Sequence, residues 1–484
     1  MAAKEFIVAI ELGSSKVTGI AGKKNLDGSI SVLAVVKEDS SSFIRKGVVY
    51  NINQTVQCIS SIVKKLSSAL KAEISRVYVG VGGQSIVSVK NVIVKDLPEG
   101  TVVSQDLVNE LMDMNRAMSY QDKIILDAAV QEYKVDSLLQ LNPVGIQCSR
   151  LEGNYLNVLW RKSFYNNVYN CFDMARVTIA DMFPAPQVLA DSVLTDAEKR
   201  SGCVLVDLGA DTTTVSVYYK NILRHLVVIP LGGNNITKDI ASLQMEESEA
   251  EAMKLKYASA YTDAENIDST KTYPIDSERN VECRKFIEIV EGRMQEIIEN
   301  VRHQIPLEFA DRLLGGIILT GGGSNMKDID KAFRNYMKIE KIRIAKFVRQ
   351  TVASSSADTL AHNGTMNTVL AILAKGEMNC AGEETPEPGD LFGQDQTVRQ
   401  DSVAAETFQP NRPMTPAGQS GVRQPADAGG SGGGRLDKAN DIAINEGGTQ
   451  QPAENNTGKG KKNAKRSISK LKIWFDKFLK EPEE

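Results

Sequence analysis

The spacing of apolar residues alternates between strand-like and helix-like patterns from residue 5 to residue 376. Short apolar runs over 30–36 and 77–81 predict strands, because a buried strand is a short apolar segment bounded by turn residues. Between them, apolar residues recur at steps of three and four from Val56 to Leu70, which predicts a helix with one buried face. This alternation of strands and helices predicts an α/β fold.

The pattern changes between residues 85 and 162. Strand-like segments at 88–94, 130–135 and 156–162 accompany a predicted helix at 105–118. We therefore expect a small α+β subdomain inserted into the main fold. The elements predicted after it are a helix at 167–180, hairpin strands over 203–219 and 222–229, a largely helical region to about 310, a helix at 326–337, a strand at 342–347 and a helix at 358–375.

Two segments repeat one motif, in which an apolar strand ends in a carboxylate two residues before a glycine. The first segment has Glu11 and Gly13, and the second has Asp207 and Gly209. A tight glycine turn lets backbone N–H groups converge on an anion, so both segments predict phosphate-binding hairpins. The two carboxylates suit a magnesium ion held through its water shell. The repetition indicates two related lobes that face one nucleotide.

A third glycine cluster, Gly321 to Gly323 followed by Ser324, lies between an apolar strand and a predicted helix. This junction suits an adenosine or its phosphates. The alternative is that all three segments are ordinary turns of an α/β fold. Their occurrence together and in this order favours a nucleotide site.

The composition changes beyond residue 381, and Pro, Gly, Gln, Asn, Asp and Ser dominate 383–460. Because this segment has too little apolar surface to offset the loss of conformational entropy on folding, 381–464 is predicted to be a disordered linker. In 465–484, bulky apolar residues at helical spacing adjoin lysines, which predicts an amphipathic helix in the interface of an anionic membrane. The alternative is a helix that docks on the protein's own body or on a partner. The apolar stripe is Ile468, Leu471, Trp474, Phe475, Phe478 and Leu479, and the basic residues beside it include Lys470, Lys472 and Lys477.

Composition limits the other possibilities. The chain has 484 residues, too many for one compact core, and its 57 basic residues nearly balance 61 acidic ones. This balance gives no global attraction to nucleic acid. The six cysteines lie far apart and the three histidines lack metal-ligand spacing, so disulfides and zinc are not predicted. Because no segment has the length and apolarity of a membrane span, we expect the body to be cytosolic.

The glycine motifs, the duplication and the insertion resemble the actin and Hsp70 ATPase superfamily, and within it the FtsA family of bacterial cell-division proteins. Further similar segments are Asn142-Pro143-Val144-Gly145 and the helix with Glu251 and Lys254. The resemblance implies an actin-like α/β fold of two duplicated lobes with a nucleotide cleft. The implied domains are 1–84 with 163–198 for the first lobe, 85–162 for the insertion, 199–233 with 311–380 for the second lobe, 234–310 for a helical subdomain, 381–464 for the linker and 465–484 for the membrane helix.

The resemblance also implies a function. Such a protein binds ATP with Mg²⁺, assembles into filaments, and anchors the FtsZ ring to the cytoplasmic face of the inner membrane at the division site, where it helps to recruit later division proteins. The acidic tail peptide of FtsZ would dock on the helical subdomain, where Arg293 matches a basic position. The residues implied at the nucleotide are Glu11, Gly13, Ser14, Ser15, Lys16, Asp207, Gly209, Asp211, Thr212, Thr213, Glu251, Lys254, Gly321, Gly322, Gly323 and Ser324.

Three departures from the superfamily pattern bear on chemistry. Glu11 stands where most members have aspartate, and Ala210 with Asp211 replaces the usual pair of glycines. The Asp211 charge is expected to repel phosphates unless magnesium intervenes. The segment 182–186 offers no glutamine or glutamate to orient an attacking water. We therefore predict tight nucleotide binding with slow or negligible hydrolysis, and assign no catalytic residue.

Two other classes of protein remain alternatives. Soluble sugar and acetate kinases share the phosphate hairpins, and PilM-like pilus-assembly proteins share the inserted subdomain. Neither class has a reason to carry a tethered lipid-binding helix, so the predicted terminal helix argues against both.

Overall fold

The computed structural model of this chain describes residues 5–263, 265, 267–268 and 270–382. Most of the predicted linker and all of the predicted membrane helix at 465–484 lie outside these residues. The folded body continues just past the predicted start of the linker, since Ala381 pairs with Ile74 and the Gly382 N–H donates to the Glu73 carbonyl at 2.9 Å. Within the described ranges, none of the helices combines the length and apolar composition that crossing a membrane requires.

The strands in chain order are β1 (Ile7–Leu12), β2 (Lys16–Lys24), β3 (Ile30–Asp39), β4 (Ile44–Arg45), β5 (Val48–Val49), β6 (Arg76–Val81), β7 (Val87–Val102), β8 (Lys123–Val135), β9 (Leu138–Gln140), β10 (Gln147–Arg161), β11 (Thr178–Pro184), β12 (Cys203–Leu208), β13 (Thr213–Tyr219), β14 (Ile222–Ile229), β15 (Thr272–Pro274), β16 (Asn280–Glu282), β17 (Gly316–Thr320), β18 (Ile342–Ile344) and β19 (Val352–Ser354). The helices are α1 (Ile52–Leu70), α2 (Gln105–Arg116), α3 (Lys162–Met174), α4 (Ala185–Val193), α5 (Asp196–Ser201), α6 (Gly233–Ala241), α7 (Glu247–Tyr257), α8 (Cys283–Gln304), α9 (Ile329–Met337) and α10 (Asn367–Lys375). Short 3-10 helices span Leu307–Arg312 and Gly322–Asn325.

The first lobe is built on a sheet whose strand order, among the described residues, is β11-β6-β1-β2-β3-β19. β1 runs antiparallel to β2 and parallel to β6. Its side chains from Ile7 to Ile10 are buried, because α10 packs against β1 and α1 packs against the neighbouring strands β2 and β3. Strands covered on both faces need continuous apolar runs, which explains the pattern in the sequence.

The second lobe repeats this arrangement with the order β18-β17-β12-β13-β14. β12 is antiparallel to β13 and parallel to β17, as β1 is to β2 and β6. Helix α8 packs against β13 and β14, and its Phe286, Val290 and Ile298 are buried in the core of this lobe. The matching strand order confirms the predicted α/β fold of two duplicated lobes.

The insertion is an antiparallel sheet in the order β7-β10-β8-β9, with α2 packed over it. β7 continues the sheet of the second lobe through one residue pair, Val87 with Val227. Ser88 adds to this junction, since its hydroxyl oxygen accepts the Leu226 N–H at 2.8 Å. The sequence predicts the insertion but not its attachment to the edge of the second sheet.

The prediction of a helix over 167–180 is wrong in its bounds. Helix α3 ends at Met174, and the strand β11 begins at Thr178 and pairs in parallel with β6. The chain leaves the helix through Arg176, whose φ of 58° lies in the left-handed region. Local spacing missed this break because Ile179 falls four residues after Ala175 and so continues the apolar pattern of the helix.

The last described elements return to the first lobe. β19 pairs with β3, and α10 packs against β1, β2 and β6. The sequence-based boundaries place all of 311–380 in the second lobe, whereas in the structure 352–375 completes the first. Sequence order alone does not show a chain that crosses back between lobes. Helices α9 and α10 also begin later than predicted, at Ile329 and Asn367.

Candidate functional site

Two equivalent glycine turns follow β1 and β12. In the first glycine turn (13–16) the Gly13 N–H donates to the Lys16 carbonyl at 3.2 Å, and in the second (209–212) the Gly209 N–H donates to the Thr212 carbonyl at 2.9 Å. A Cβ atom on Gly13 or Gly209 would lie 2.7 or 2.8 Å from that carbonyl oxygen. A larger residue would therefore disrupt either turn, and the bare backbone leaves room for an anion to approach.

Both glycine turns line one cavity of about 970 Å³. Asp211 and Ser324 are the predicted residues that do not line it. The buried Ser324 hydroxyl donates to the Gly321 carbonyl at 2.7 Å and so supports the third glycine cluster from behind. The predicted residues that do line the cavity are Glu11, Gly13, Ser14, Ser15, Lys16, Asp207, Gly209, Thr212, Thr213, Glu251, Lys254, Gly321, Gly322 and Gly323. Their contact with a nucleotide stays a prediction.

Two of the carboxyl groups that line this cavity, those of Glu11 and Asp207, come from the ends of β1 and β12, one from each lobe. Burial, and after it the nearby Asp207, raise the pKa of Glu11 to about 7 against the opposing effects of Lys16 and a hydrogen bond with Thr368. Burial also raises the pKa of Asp207 to about 6. A cation between the lobes would favour the charged form of both groups.

The chemistry of this pair fits magnesium. Among the residues described, no group of three or more His, Cys, Asp or Glu side chains is placed to hold a metal ion. The Glu11 and Asp207 oxygens instead suit Mg²⁺ that keeps several waters and takes further ligands from a phosphate. These two residues would hold the ion through its waters, as predicted from the sequence.

Two neighbouring segments hold the first glycine turn in place. Ser40 is fully buried, its hydroxyl donates to the Gly13 carbonyl at 2.6 Å, and its N–H donates to the Ser15 carbonyl at 3.2 Å. The Gly47 N–H donates to the Ser14 hydroxyl oxygen at 2.7 Å. Because that oxygen acts as an acceptor, the Ser14 hydroxyl hydrogen can still be donated to an anion in the cavity.

The start of α6 holds the second glycine turn. The Gly233 N–H donates to the Gly209 carbonyl at 3.0 Å, and the Asn234 N–H donates to the Ala210 carbonyl at 2.7 Å. A Cβ atom on Gly232 would lie 2.5 Å from the Ala210 carbonyl oxygen. This close backbone contact accounts for the first glycine of the pair after β14.

Asp211 faces away from the cavity. Its carboxylate accepts hydrogen bonds from the Lys46 backbone N–H at 2.9 Å and from the Asn234 side-chain amide at 2.8 Å. The sequence predicts that Asp211 faces the phosphates and repels them, whereas its charge is directed at two donors. Since Lys46 lies in the hairpin β4–β5 of the first lobe, this hydrogen bond joins the two lobes.

Glu251 and Lys254 line another wall and pair with each other at 2.6 Å. The Lys254 ammonium also donates to the Thr237 hydroxyl at 2.8 Å and to the Gly233 carbonyl at 3.2 Å. The Thr237 hydroxyl in turn donates to Glu251 at 2.5 Å. A ribose at this wall would have to exchange bonds with this network, which also ties α7 to the support of the second glycine turn.

The third glycine cluster requires glycine for two reasons. Gly321 has a φ of 81°, in the left-handed region that side chains disfavour. A Cβ atom there would lie 2.3 Å from the Asp207 carboxylate oxygen. The cluster therefore packs directly against the carboxylate of the second lobe.

The cavity includes residues that the sequence does not identify. Gly82 and Gly83 follow β6, and Thr368 on α10 hydrogen-bonds Glu11. Tyr257 and Tyr273 stack at another wall with ring centroids 4.4 Å apart. The glycine pair after an apolar strand is a usable signal for Gly82 and Gly83. Thr368 has no such signal, because its position depends on α10 returning to the first lobe.

Arg293 lies in a smaller cavity of about 420 Å³ formed by α6 and α8. Its guanidinium donates to Asp239 at 2.5 and 3.0 Å and also pairs with Glu296. The hydrogen bonds that it donates to Asp239 raise the pKa of the guanidinium. An acidic peptide at this site would compete with both carboxylates for Arg293.

Comparison with known proteins identifies the family. A family model described as cell division protein FtsA matches residues 204–370, and one described as an SHS2 domain inserted in FtsA matches 83–159. Cell division protein FtsA of Porphyromonas gingivalis is 30% identical over 407 residues, which cover 83% of this chain and 84% of that protein. The chain belongs to the FtsA family of cell division proteins. The resemblance drawn from the glycine motifs is confirmed.

Other FtsA proteins align over most of their own length. Identity is 30% over 333 residues with the Neisseria meningitidis protein and 25% over 340 residues with the Escherichia coli protein. Each alignment covers 67% of this chain and 80% of the relative. The family assignment therefore makes this chain a cell-division protein.

A solved chain from a PilM-PilN type IV pilus biogenesis complex has a TM-score of 0.53 at 14% identity. The match covers 76% of this chain and 98% of that chain. At this identity the likeness concerns the fold alone, and it agrees with the actin-like fold of the FtsA family.

Proposed function

We propose that the cleft of this FtsA-family protein binds ATP together with Mg²⁺. The observation that carries the proposal is the pair of equivalent glycine turns, at Gly13 and Gly209, which line one cavity together with the carboxyl groups of Glu11 and Asp207. A triphosphate between these turns would meet backbone N–H groups from both lobes and would favour their approach. A cavity of about 970 Å³ is also large enough for a nucleotide.

Different residues along this cavity contact the phosphates, the magnesium ion and the adenosine. Ser14 and Lys16 donate to phosphate oxygens from the first lobe, and Thr212 donates from the second. Glu11 and Asp207 hold the water shell of the magnesium ion, which neutralises charge on the phosphates when it is bound. At the adenosine end lie Glu251, Lys254, Gly321, Gly322 and Gly323.

Hydrolysis is proposed to be slow, so that the role of the protein is mainly structural. The segment that joins the lobes contributes Ala185 and Pro186 to the cavity. Neither side chain can orient an attacking water or accept its proton. The bound nucleotide then holds the lobes together and is not hydrolysed rapidly.

Titration with a fluorescent ATP analogue, mant-ATP, in the presence of Mg²⁺ or EDTA tests this proposal. Lys16→Ala should weaken binding by about tenfold or more, because it removes a charge-assisted hydrogen bond to phosphate. Lys23→Ala provides a control, since Lys23 is an exposed residue on the same strand. A wild-type protein that binds no mant-ATP with Mg²⁺ would overturn the proposal.

We further propose that the protein lies peripherally at the cytoplasmic face of the inner membrane, self-associates into filaments and anchors the FtsZ polymer at the division site. Membership of the FtsA family supports the division role. The apolar stripe and lysines of 465–484 support the anchor, because bulky side chains gain from partial burial in lipid and lysines attract anionic headgroups.

Co-sedimentation with liposomes tests the anchor. The full-length protein should sediment with vesicles rich in phosphatidylglycerol and bind phosphatidylcholine vesicles weakly, whereas a 1–464 truncation should remain in the supernatant. Equal mant-ATP affinity of the two proteins verifies that the truncation leaves the body folded. Unchanged sedimentation of the truncation with anionic vesicles would show that the anchor is elsewhere.

The contact with FtsZ is tested with a fluorescent peptide that carries the acidic FtsZ tail. Arg293→Ala should weaken binding severalfold if the guanidinium exchanges Asp239 and Glu296 for the peptide carboxylates. Arg302→Ala on the same helix is the control, because Arg302 is exposed in the last turn of α8. Equal affinity of wild type and Arg293→Ala would move the docking site away from this cavity.

A further inference from the structure

One hairpin turn of the first lobe contacts elements on both sides of the cleft. It connects β4 and β5 through Lys46 and Gly47, which have φ values of 51° and 72°. Two successive residues in the left-handed region are characteristic of a type I′ turn. The two N–H groups of this Lys46 turn have different acceptors, since Lys46 donates to the Asp211 carboxylate at 2.9 Å and Gly47 donates to the Ser14 hydroxyl oxygen at 2.7 Å.

The Lys46 turn is held tightly within the first lobe. The Lys46 carbonyl accepts the Gln84 N–H at 2.9 Å. A Cβ atom on Gly47 would lie 2.5 Å from the Gly83 Cα atom, and one on Gly83 would lie 2.4 Å from the Gly47 carbonyl oxygen. Because the backbones are in direct contact, the Lys46 turn cannot follow the second lobe if the cleft opens.

Asp211 is held in place by hydrogen bonds within the second lobe. Asn234 donates its side-chain amide to the Asp211 carboxylate at 2.8 Å and its backbone N–H to the Ala210 carbonyl at 2.7 Å. The carboxylate is thus oriented by its own lobe before it meets Lys46. Opening of the cleft would break the bond to Lys46 and leave the bond to Asn234 intact.

We propose that Asp211 is a positioning residue that latches the second lobe to the Lys46 turn and thereby slows nucleotide release. This inference rests on the proposed nucleotide site. The latch also connects to that site, because the Lys46 turn donates to Ser14, whose hydroxyl can donate to a phosphate. A carboxylate suits this role because it accepts two hydrogen bonds that its charge strengthens.

The latch and simple charge repulsion predict opposite effects of Asp211→Asn. Removing a negative charge near phosphates would by itself slow nucleotide release. If Asp211 is a latch, the loss of a charged acceptor for Lys46 should instead speed the dissociation of mant-ATP with Mg²⁺ by about tenfold. Stopped-flow displacement by excess ATP measures this rate. Asp311→Asn, which neutralises an exposed carboxylate of the second lobe outside the cavity, should leave the rate unchanged.

Asn234→Ala tests the latch from its supporting side. It should speed release less than Asp211→Asn does, and the double variant should release mant-ATP no faster than Asp211→Asn alone. Release from Asp211→Asn at or below the wild-type rate would overturn the latch. If Asp211→Asn does not fold, accelerated release from Asn234→Ala supports the latch and an unchanged rate overturns it.

Hydrogen exchange separates failure of the latch from failure of the proposed function. The Lys46 amide should exchange at least about tenfold faster in Asp211→Asn than in wild type without any nucleotide, because its acceptor is no longer charged. A wild-type protein that binds no mant-ATP would refute the nucleotide site whatever the exchange result. Equal Lys46 exchange in both proteins would refute the latch even if mant-ATP binds.

Discussion

The carboxyl groups of Glu11 and Asp207 make the free energy of unfolding depend on pH. Burial raises the pKa of Glu11 to about 7 and that of Asp207 to about 6, from ordinary values of 4.5 and 3.8. Between about pH 4 and pH 7 the folded chain therefore holds protons that the unfolded chain releases. The free energy of unfolding must fall as pH rises through this window.

We predict that the melting temperature in EDTA without nucleotide falls by on the order of 5 °C between about pH 5 and pH 7.5. Glu11→Gln should flatten this decline, whereas Glu247→Gln, at an exposed position in the first turn of α7, should not. Mg²⁺ with ATP should raise the melting temperature most at the higher pH, since a cation favours both charged forms. A wild-type melting temperature independent of pH would contradict this electrostatic account.

Gly321 offers a second prediction, for which Gly28 is a matched control. Their φ values are 81° and 79°, but a Cβ atom at Gly321 would meet Asp207, whereas one at Gly28 would meet open space. Gly28→Ala should lower the free energy of unfolding by about 1 kcal/mol and leave mant-ATP affinity unchanged. Gly321→Ala should lower it by more and weaken mant-ATP binding by about tenfold or more, because Asp207 must move.

Urea unfolding and mant-ATP titration of the two glycine variants measure these effects. Equal losses of stability and full nucleotide affinity in both variants would show that the contact between Gly321 and Asp207 has no role in the site.

At this scale, the sequence predicts residues whose role depends on local backbone chemistry. Gly13 and Gly209 were identifiable because a glycine after a strand and an acid has a direct physical meaning. The sequence does not show where the Asp211 carboxylate points, because its orientation depends on Lys46, which lies in the other lobe. Tyr273 was also missed, because its place in the cavity depends on how β15 packs rather than on any motif.

Among the elements, the short helix α5 is fixed at its start and along its side by one carboxylate. Glu198 accepts the Thr195 N–H at 2.8 Å in a capping box, and it accepts two hydrogen bonds from Arg343 at 2.7 and 2.9 Å. Arg343 lies on β18 and also donates to the Val193 carbonyl at the end of α4 at 2.9 Å. Glu198 therefore joins the helix that leaves the first lobe to the edge strand of the second.

We predict that Glu198→Gln lowers the free energy of unfolding by about 2 kcal/mol, because it weakens two charge-assisted hydrogen bonds. Asp330→Asn is the control, since Asp330 is more exposed than Glu198 and its pair with Arg334 should contribute less than about 1 kcal/mol. Urea unfolding at neutral pH measures both values. Equal effects of the two substitutions would show that Glu198 is an ordinary surface charge.

The Glu198 carboxylate also makes the free energy of unfolding depend on pH, but in the direction opposite to that of Glu11 and Asp207. Burial alone would raise the pKa of Glu198, but hydrogen bonds from Arg343 and Thr195 outweigh burial and hold the pKa below its ordinary value of 4.5. Its contribution to stability is therefore complete above that pH and is lost as the pH falls further. The difference in unfolding free energy between wild type and Glu198→Gln should shrink below about pH 4.5.

Elements with long, regular apolar spacing were the ones that the sequence predicted well. Helices α1 and α2 begin within a few residues of their predicted positions, as do the strands around both glycine turns. The prediction failed where a break left the spacing intact, as between α3 and β11. It also could not assign α10 to a lobe, because an amphipathic helix shows which face it buries but not which sheet covers it.

For the whole molecule, the proposed nucleotide site and the lobe latch together describe a cleft that closes and stays closed. We predict that ATP turnover is on the order of 10⁻³ per second, as in nucleotide-binding proteins that lack an assisting catalytic group. Release of phosphate at saturating ATP and Mg²⁺ measures it, with Lys16→Ala as a control for contaminating ATPases. Turnover of several per second that Lys16→Ala abolishes would require a water-orienting group in this cleft.

The return of α10 to the first lobe has a consequence for how the protein is made. Ile372 of this helix reaches Gly80 so closely that a Cβ atom there would lie 2.1 Å from its Cδ1 atom. During synthesis, β1 and β6 leave the ribosome long before this covering helix exists. The nascent N-terminal half must therefore keep an apolar sheet face uncovered until residue 375 has emerged. During this period the exposed face is prone to aggregation, and chaperone binding to it would be most useful.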